Sequence, residues 1–290
     1  MFIDIHVHLC RMPGFPRHGK QSFATPQQLL DRYDKLEIER AVVLPVCNPE
    51  CCHGVQSNED IIEIAQNNDR FIPFCNIDPR SMTNSASAPL GDMLKYYQDK
   101  GCKGIGEVCA NLAFLDPLVQ NLFKGAEETE MPLTFHIAAK FGGIYGLYDD
   151  PGLPQLEESL RRFPKLKFLG HSQSFWAEMA PLKNEFDRFG YPDYPVEEEG
   201  VIPKLMRKYP NLYGDLSAGS GCNALARDRN YAISFLNEFQ DRLMFGTDIC
   251  APDTPVRLVD FLLDLRNSGE ISENVFYKVA KGNAIKLLNL

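Results

Sequence analysis

Short β-branched or aromatic runs recur along the chain at 2–8, 40–46, 70–77, 102–108, 132–137, 166–170, 212–216 and 243–247. Runs of this length and composition, bounded by turn residues, predict strands. Between most of them the apolar residues return at helical spacing instead. Thr25-Pro26-Gln27 opens the first such stretch, with Thr25 as N-cap and Pro26 at the first helical position. Ser57-Asn58-Glu59-Asp60 opens the second, where Ile61, Ile62, Ile64 and Ala65 form the apolar stripe. Further helices are expected near 90–99, 117–128, 155–162, 201–208, 224–238, 255–266 and 273–288.

Eight strands alternating with helices imply parallel βαβ units, and eight is the number that closes a barrel. The predicted fold is therefore α/β, a single (β/α)₈ TIM barrel spanning 1–290. A doubly wound open sheet is the alternative, but no G-x-G-x-x-G or phosphate-binding loop follows any strand. The length agrees, since such barrels need roughly 250 residues. Two connections stand out for length, 140–154 and 172–200. Both follow strands, so both are expected at the C-terminal face as lids.

Composition narrows the partners. The formal charge is −9, from 30 basic and 39 acidic residues, and no basic cluster interrupts it. That argues against nucleic acid and against an anionic membrane surface. No apolar run approaches the roughly 20 residues of a membrane span, and Met1-Phe2-Ile3-Asp4 enters a strand without a leader pattern. Nine scattered cysteines, an odd count, suit reduced thiols in a cytoplasm. A small-molecule substrate is the expected partner, and homodimer formation is left open.

Chemistry concentrates at strand ends. His6 and His8 are two apart on the first strand and share a face, while Ile3, Ile5 and Val7 are expected to face the helices. Two imidazoles at the carboxyl end of an inward face can grip one divalent ion. The bland alternative, two hydrogen-bonded core histidines, weakens once the other strands are read. His136 ends the fifth strand, His171 the sixth, and Asp248 follows Phe245-Gly246-Thr247 on the eighth. In a closed barrel these ends converge on one rim.

This ordered set resembles the amidohydrolase superfamily. Gly170-His171-Ser172 and Phe245-Gly246-Thr247-Asp248 are most similar to the amidohydrolase-related branch that includes aminocarboxymuconate semialdehyde decarboxylase. The resemblance implies that His6, His8, His136 and Asp248 hold a first metal, with His171 beside the reacting water or substrate. The expected cofactor is a divalent metal, zinc first. Zinc with an open position brings its water to a pKa of about 7. Asp248 can take that water's proton, and His171 can donate to or polarise the substrate oxygen.

Glu107 ends the fourth strand in Gly104-Ile105-Gly106-Glu107-Val108. A carboxylate there can bridge two metals, and a similar Gly-Glu stretch occurs in TatD-type nucleases. The other reading pairs Glu107 with a cation such as Lys140. The carbamylated lysine of binuclear amidohydrolases has no counterpart, since Lys103 sits too early on the strand.

Arg11, Arg17, His18 and Lys20 follow the first strand, and Arg11 is the expected carboxylate-binding residue. Trp176, the only tryptophan, follows His171 and is the candidate to stack a planar substrate, with packing as its alternative. Cys47, Cys51, Cys52 and His53 cluster after the second strand but match no standard zinc spacing and are read as incidental thiols. The expected activity is metal-dependent hydrolysis of a small amide, ester or lactone. Non-oxidative decarboxylation of an aromatic or muconate-like acid is the alternative, and a TatD-like phosphoesterase a further one.

Overall fold

A computed structural model describes residues 1–51 and 54–290. The described residues form nine strands, all but β5 and β6 separated by helices: β1 Phe2–Val7, β2 Ile38–Val43, β3 Phe71–Pro73, β4 Ile105–Val108, β5 Leu133–Ala138, β6 Leu147–Tyr148, β7 Phe168–His171, β8 Leu212–Asp215 and β9 Leu243–Met244. All the strand pairings are parallel. The eight expected strands are all present; β6 is an addition that pairs beside the end of β5. Cys75 N to Gly104 O (3.0 Å) and Gly106 N to Cys75 O (2.8 Å) join β3 to β4. Ile5 N to Phe245 O (3.0 Å) and Asp248 N to His6 O (2.8 Å) join the last strand to the first. These bonds close the ring, giving a (β/α)₈ barrel with one short accessory strand.

The helices are α1 Pro26–Leu36, α2 Asn58–Gln66, α3 Leu90–Asp99, α4 Pro117–Glu128, α5 Pro154–Arg162, α6 Gln173–Ala177, α7 Val201–Lys208, α8 Ala218–Ala226, α9 Arg229–Glu238, α10 Leu258–Asn267, α11 Glu273–Tyr277 and α12 Asn283–Leu288. Thr25 caps α1 in a capping box with Gln28, and Ser57 Oγ caps α2 through Asp60 N. Two expected helices are interrupted. The stretch 224–238 divides at Asp228, whose side chain accepts from Tyr231 N and so starts α9 anew. The last helix is broken by a π turn, Lys278–Gly282. Among the described residues no helix is long and apolar enough to cross a membrane.

Two apolar layers hold the barrel. The larger packs strand residues such as Val7, Val43, Phe135 and Phe168 against Leu29, Tyr33, Leu122 and other helix residues. The smaller fills the barrel interior with Ile3, Ile5, Val42, Leu44, Ile72, Phe74, Leu169 and Met244, and Ala284 and Leu288 of α12 join it. This corrects the expectation for β1. Ile3 and Ile5 face inward, and only Val7 lies in the helix layer. The β1–β2 register shifts between Asp4 and Val7. Such an irregularity changes which face the following residues occupy, so His6 and His8 reach the mouth above Ile3 and Ile5.

Asp4, fully buried, fastens this turn. Its Oδ1 accepts from His6 N (3.0 Å) and Thr247 N (2.9 Å). Its Oδ2 accepts from Tyr33 OH and Thr247 Oγ1, both at 2.5 Å. One carboxylate thereby sets the height of β1 against the last strand and against α1.

Candidate metal centre

Each candidate side chain stands near or just beyond the carboxyl end of a strand. His6 comes from β1, Glu107 from β4, His136 from β5, His171 from β7 and Asp215 from β8. His8 follows β1, and Asp248 follows β9 in the left-handed region at φ +53°. All except Asp248 are buried.

The hydrogen bonds settle which imidazole nitrogens face the centre. His8 Nδ1 lies 2.8 Å from Leu44 O. A carbonyl only accepts, so Nδ1 carries the proton and Nε2 of the neutral ring presents a lone pair. His6 Nδ1 lies 2.6 Å from Asp215 Oδ2, which likewise draws the proton to that side. The two Nε2 atoms then face each other at 3.0 Å. Lone pairs that close repel, so without an ion one ring must be protonated and bridge the pair through N–H···N; a divalent ion between or beside them takes the place of that proton.

Carboxylates flank the pair. His6 Nε2 is 3.6 Å from Glu107 Oε2 and 3.7 Å from Asp248 Oδ1; His8 Nε2 is 3.5 and 3.7 Å from the same atoms. Donors sharing one tetrahedral zinc at 2.0–2.2 Å lie roughly 3.3–3.6 Å apart. The spacing and the oriented lone pairs fit a divalent ion held by His6, His8 and Asp248, whose donors lie within 4.8 Å of one another.

His136 is turned differently. Its Nδ1 meets Glu107 Oε1 at 2.7 Å, and its donor atoms group with Glu107 and Cys109. Glu107 thus joins the two sets, Oε1 toward His136 and Oε2 toward His6 and His8. The alternative pairing of Glu107 with Lys140 is corrected: Lys140 lies over the Phe189 ring instead, and histidines surround Glu107. Burial raises the Glu107 pKa, but His136 and His6 outweigh it and hold the carboxyl well below the usual range. Burial opposes charge on His6, yet Asp215 and Glu107 carry its pKa well above the ordinary value. The centre is electrostatically built for positive charge.

His171 sits beside rather than within the His6–His8 pair. Its Nδ1 is 2.9 Å from Ser217 Oγ and its Nε2 3.6 Å from Glu107 Oε1. Burial, then the neighbouring His6, pushes its pKa below the usual imidazole value. Gly170 is required just before it, because a Cβ there would meet the Phe175 ring at 2.3 Å.

A chamber of about 90 Å³ opens over these groups, lined by His8, Arg17, Tyr145, His136, His171 and Asp248 among others. Asp248, 26% exposed, is the donor most open to it. Tyr145 stacks on His136 with ring centroids 4.7 Å apart. Gly146 permits this: it has φ +110°, and a Cβ there would meet His136 Cδ2 at 2.8 Å.

Two substrate-binding expectations are corrected. Arg11 is not in the chamber; it pairs with Asp60 and Glu63 of α2 on the surface. Arg17 lines the chamber instead; among the described residues only its backbone is bonded, to Lys20. Trp176 is buried outside the barrel wall, donating Nε1–H to Asp215 O at 2.9 Å and packing edge-on to Phe175 and Phe235. Its packing alternative is the observed one. Asp215 and Tyr145 were not expected. Asp215 carried the same signal as the others, an aspartate closing the apolar run Leu212-Tyr213-Gly214. Cys51 lines the chamber, whereas Cys52 and His53 lie outside the described residues.

Fold and centre together define a TIM-barrel protein whose mouth gathers histidines and carboxylates able to hold a metal ion. The sequence profile of the amidohydrolase family matches residues 3–290, and the chain belongs to that family. Among solved structures, it is similar to an uncharacterized TIM-barrel protein from Bordetella bronchiseptica at 17% identity and TM-score 0.66, covering 99% of this chain and 98% of that one. It is similar to an amidohydrolase from Burkholderia multivorans with bound zinc at 13% identity and TM-score 0.61, covering 100% and 99%. A third is 2,6-dihydroxybenzoate decarboxylase from Rhizobium, at 14% identity and TM-score 0.60, covering 99% and 98%. No curated protein matches the chain.

Proposed function

We propose that this enzyme hydrolyses a small amide, ester or lactone that carries a carboxylate. The observation that carries the reading is the convergence of the His6 and His8 Nε2 atoms beside Asp248 and Glu107, with each ring's Nδ1 turned to an outer oxygen. His6, His8 and Asp248 would hold zinc, with Glu107 or His136 completing the set. A zinc ion there supplies a Lewis acid and a water acidified toward pKa 7.

The chain's own residues do the rest. Asp248 is the carboxylate exposed to the chamber, placed to take the proton of an attacking water. His171 holds a nitrogen toward the same space and delivers a proton to the leaving group, while Ser217 and Asp215 fix its ring. Arg17 offers the substrate carboxylate an unpaired guanidinium. Tyr145 covers His136 from the 140–154 segment, which with 172–200 serves as a lid that excludes water.

A second reading is decarboxylation of an aromatic acid, favoured by the likeness to 2,6-dihydroxybenzoate decarboxylase. The same residues serve it if His171 protonates the ring carbon. The deciding experiment is a panel of carboxylated lactones, esters, amides and hydroxybenzoates, assayed for acid release and for carbon dioxide with zinc content measured. Hydrolysis lost in His6→Ala/His8→Ala supports the first reading. Carbon dioxide release without hydrolysis supports the second. Full activity in the verified metal-free double variant refutes both.

A further inference from the structure

The catalytic chamber, about 90 Å³, is too small for a whole substrate. Pockets that enclose small organic ligands usually run from about 300 to 1,000 Å³. A second cavity of about 550 Å³ lies on the other side of Asp248, between the loops that follow β8 and β9. Asp248 lines both cavities, so the second lies directly beside the metal centre.

The second cavity has a definite chemistry. Gly219 and Val256 give it small and apolar walls, suited to a flat carbon skeleton. Tyr191 and Asn223 add a phenol and an amide. Asn223 spends its Nδ2–H on Pro192 O (2.9 Å). At the rim stands Arg257, exposed, with no hydrogen bond or ion pair to its guanidinium among the described residues. Most arginines here are engaged: Arg207 by Glu199 and Glu238, Arg229 by Asp264 and Glu270, Arg80 by Asp78 and Glu50. Arg257, like Arg17 at the chamber, is thus a cavity-lining guanidinium that no acidic side chain among the described residues neutralises, which leaves it available to an external anion.

We propose that this cavity is a substrate subsite, and that Arg257 in it binds a second anionic group at the end of the substrate remote from the metal. The substrate is thereby a dianion, with one acid group near Arg17 and the other at Arg257. The inference rests on the metal-centre reading and deepens it from a carboxylated substrate to a dicarboxylate-like one.

The test is calorimetric binding of paired probes, isophthalate against benzoate and glutarate against butyrate, to zinc-loaded and to chelated protein. The readout is the ratio of dianion to monoanion affinity. Wild type should prefer at least one dianion by about 10- to 100-fold, the worth of one charge-assisted contact. Arg257→Met should abolish that preference, and Arg257→Lys should keep part of it. Gly219→Leu, which crowds the second cavity where an added Cβ would already come within 3.1 Å of Tyr191 Oη, should weaken the preferred dianion by tenfold or more. Both sites are exposed, so the variants should fold, as melting curves will verify. The proposal is overturned if neither dianion is preferred, if the preference survives Arg257→Met, or if Gly219→Leu binds the dianion as wild type does. Zinc content and turnover in the same samples report separately on the metal centre: a chain without zinc or activity that still shows the Arg257-dependent preference would refute the catalytic reading and keep the subsite.

Discussion

Asp215→Asn isolates the residue that orients His6. The aspartate has two oxygens in use: Oδ2 accepts from His6 Nδ1 at 2.6 Å, and Oδ1 accepts from Ser217 N at 3.0 Å. Asparagine keeps the shape but has one oxygen. If that oxygen stays on Ser217, the amide NH₂ faces His6 Nδ1. His6 must then carry its proton on Nε2, the atom 3.0 Å from His8 Nε2, and is lost as a ligand. If the oxygen turns to His6, two N–H donors confront each other at Ser217. A buried unsatisfied donor costs about 1–3 kcal/mol. Metal binding requires the second arrangement and so bears its cost, which weakens the affinity. Outer-shell changes of this kind typically cost about 10–100-fold in metal affinity, or about 1.4–2.7 kcal/mol. Competition against a chromophoric chelator measures the affinity directly. The zinc-dependent rise in thermal stability checks it independently, since each tenfold loss of affinity removes about 1.4 kcal/mol of stabilisation at fixed free zinc. A variant whose zinc affinity stays within twofold of wild type would show that Asp215 does not set the His6 tautomer, and the lone-pair argument would fall with it.

His171→Asn should lower kcat by about 10²–10⁴-fold with zinc retained; loss of zinc would make His171 a ligand, and lost stability with full activity a packing residue. Glu107→Gln should leave one zinc per chain if His136 completes a mononuclear site; loss of that zinc would make Glu107 the completing ligand, and a fall from two to one in plasma emission spectrometry would establish a carboxylate-bridged pair. Chelation should abolish activity, and zinc alone should restore it; persistence after verified removal would end the metal mechanism. Glu178, buried beside Arg188, has its pKa pushed up to about 7, mainly by burial and despite Arg188. A raised carboxyl pKa means the folded state binds the proton more tightly, so the contribution is fully present below about pH 4.5 and is lost as pH rises through 7. Wild type should therefore lose stability relative to Glu178→Gln between pH 5 and 8, by up to about 3 kcal/mol; parallel denaturation profiles of the two proteins would contradict this.

The strand ends were legible because a barrel turns sequence position into spatial position. His136, His171 and Asp248 each close a short apolar run, and parallel closure brings such ends to one rim whatever the loops do. Asp215 obeys the same rule and was open to the same reading. The facing of β1 was harder. Strict alternation sends Ile3, Ile5 and Val7 to one side, but the register shift after Asp4 reverses the parity partway along. Nothing in Phe2-Ile3-Asp4-Ile5-His6 announces that shift. Its cause is the bonding of Asp4 to Thr247 and Tyr33, partners 243 and 29 residues away.

Loop residues obey no such rule. Arg11 and Arg17 lie in one basic stretch after β1, equally near the mouth by sequence. What separates them is acidic competition from α2: Asp60 and Glu63 stand where they pair with Arg11, and no acidic side chain among the described residues pairs with Arg17. An arginine is available to a substrate only when the fold leaves it unpaired, so the decisive information lies on another element. Trp176 shows the converse. Its place directly after the His171 strand suggested the mouth, but α6 carries the indole to the outer wall, where Asp215 O takes its N–H. Ligands can thus be proposed from strand ends, because backbone geometry alone delivers them. Substrate contacts require knowing which charges the rest of the molecule has already neutralised, which is why Arg17 and Arg257, rather than Arg11, are the arginines proposed for the anion-binding ends of this site.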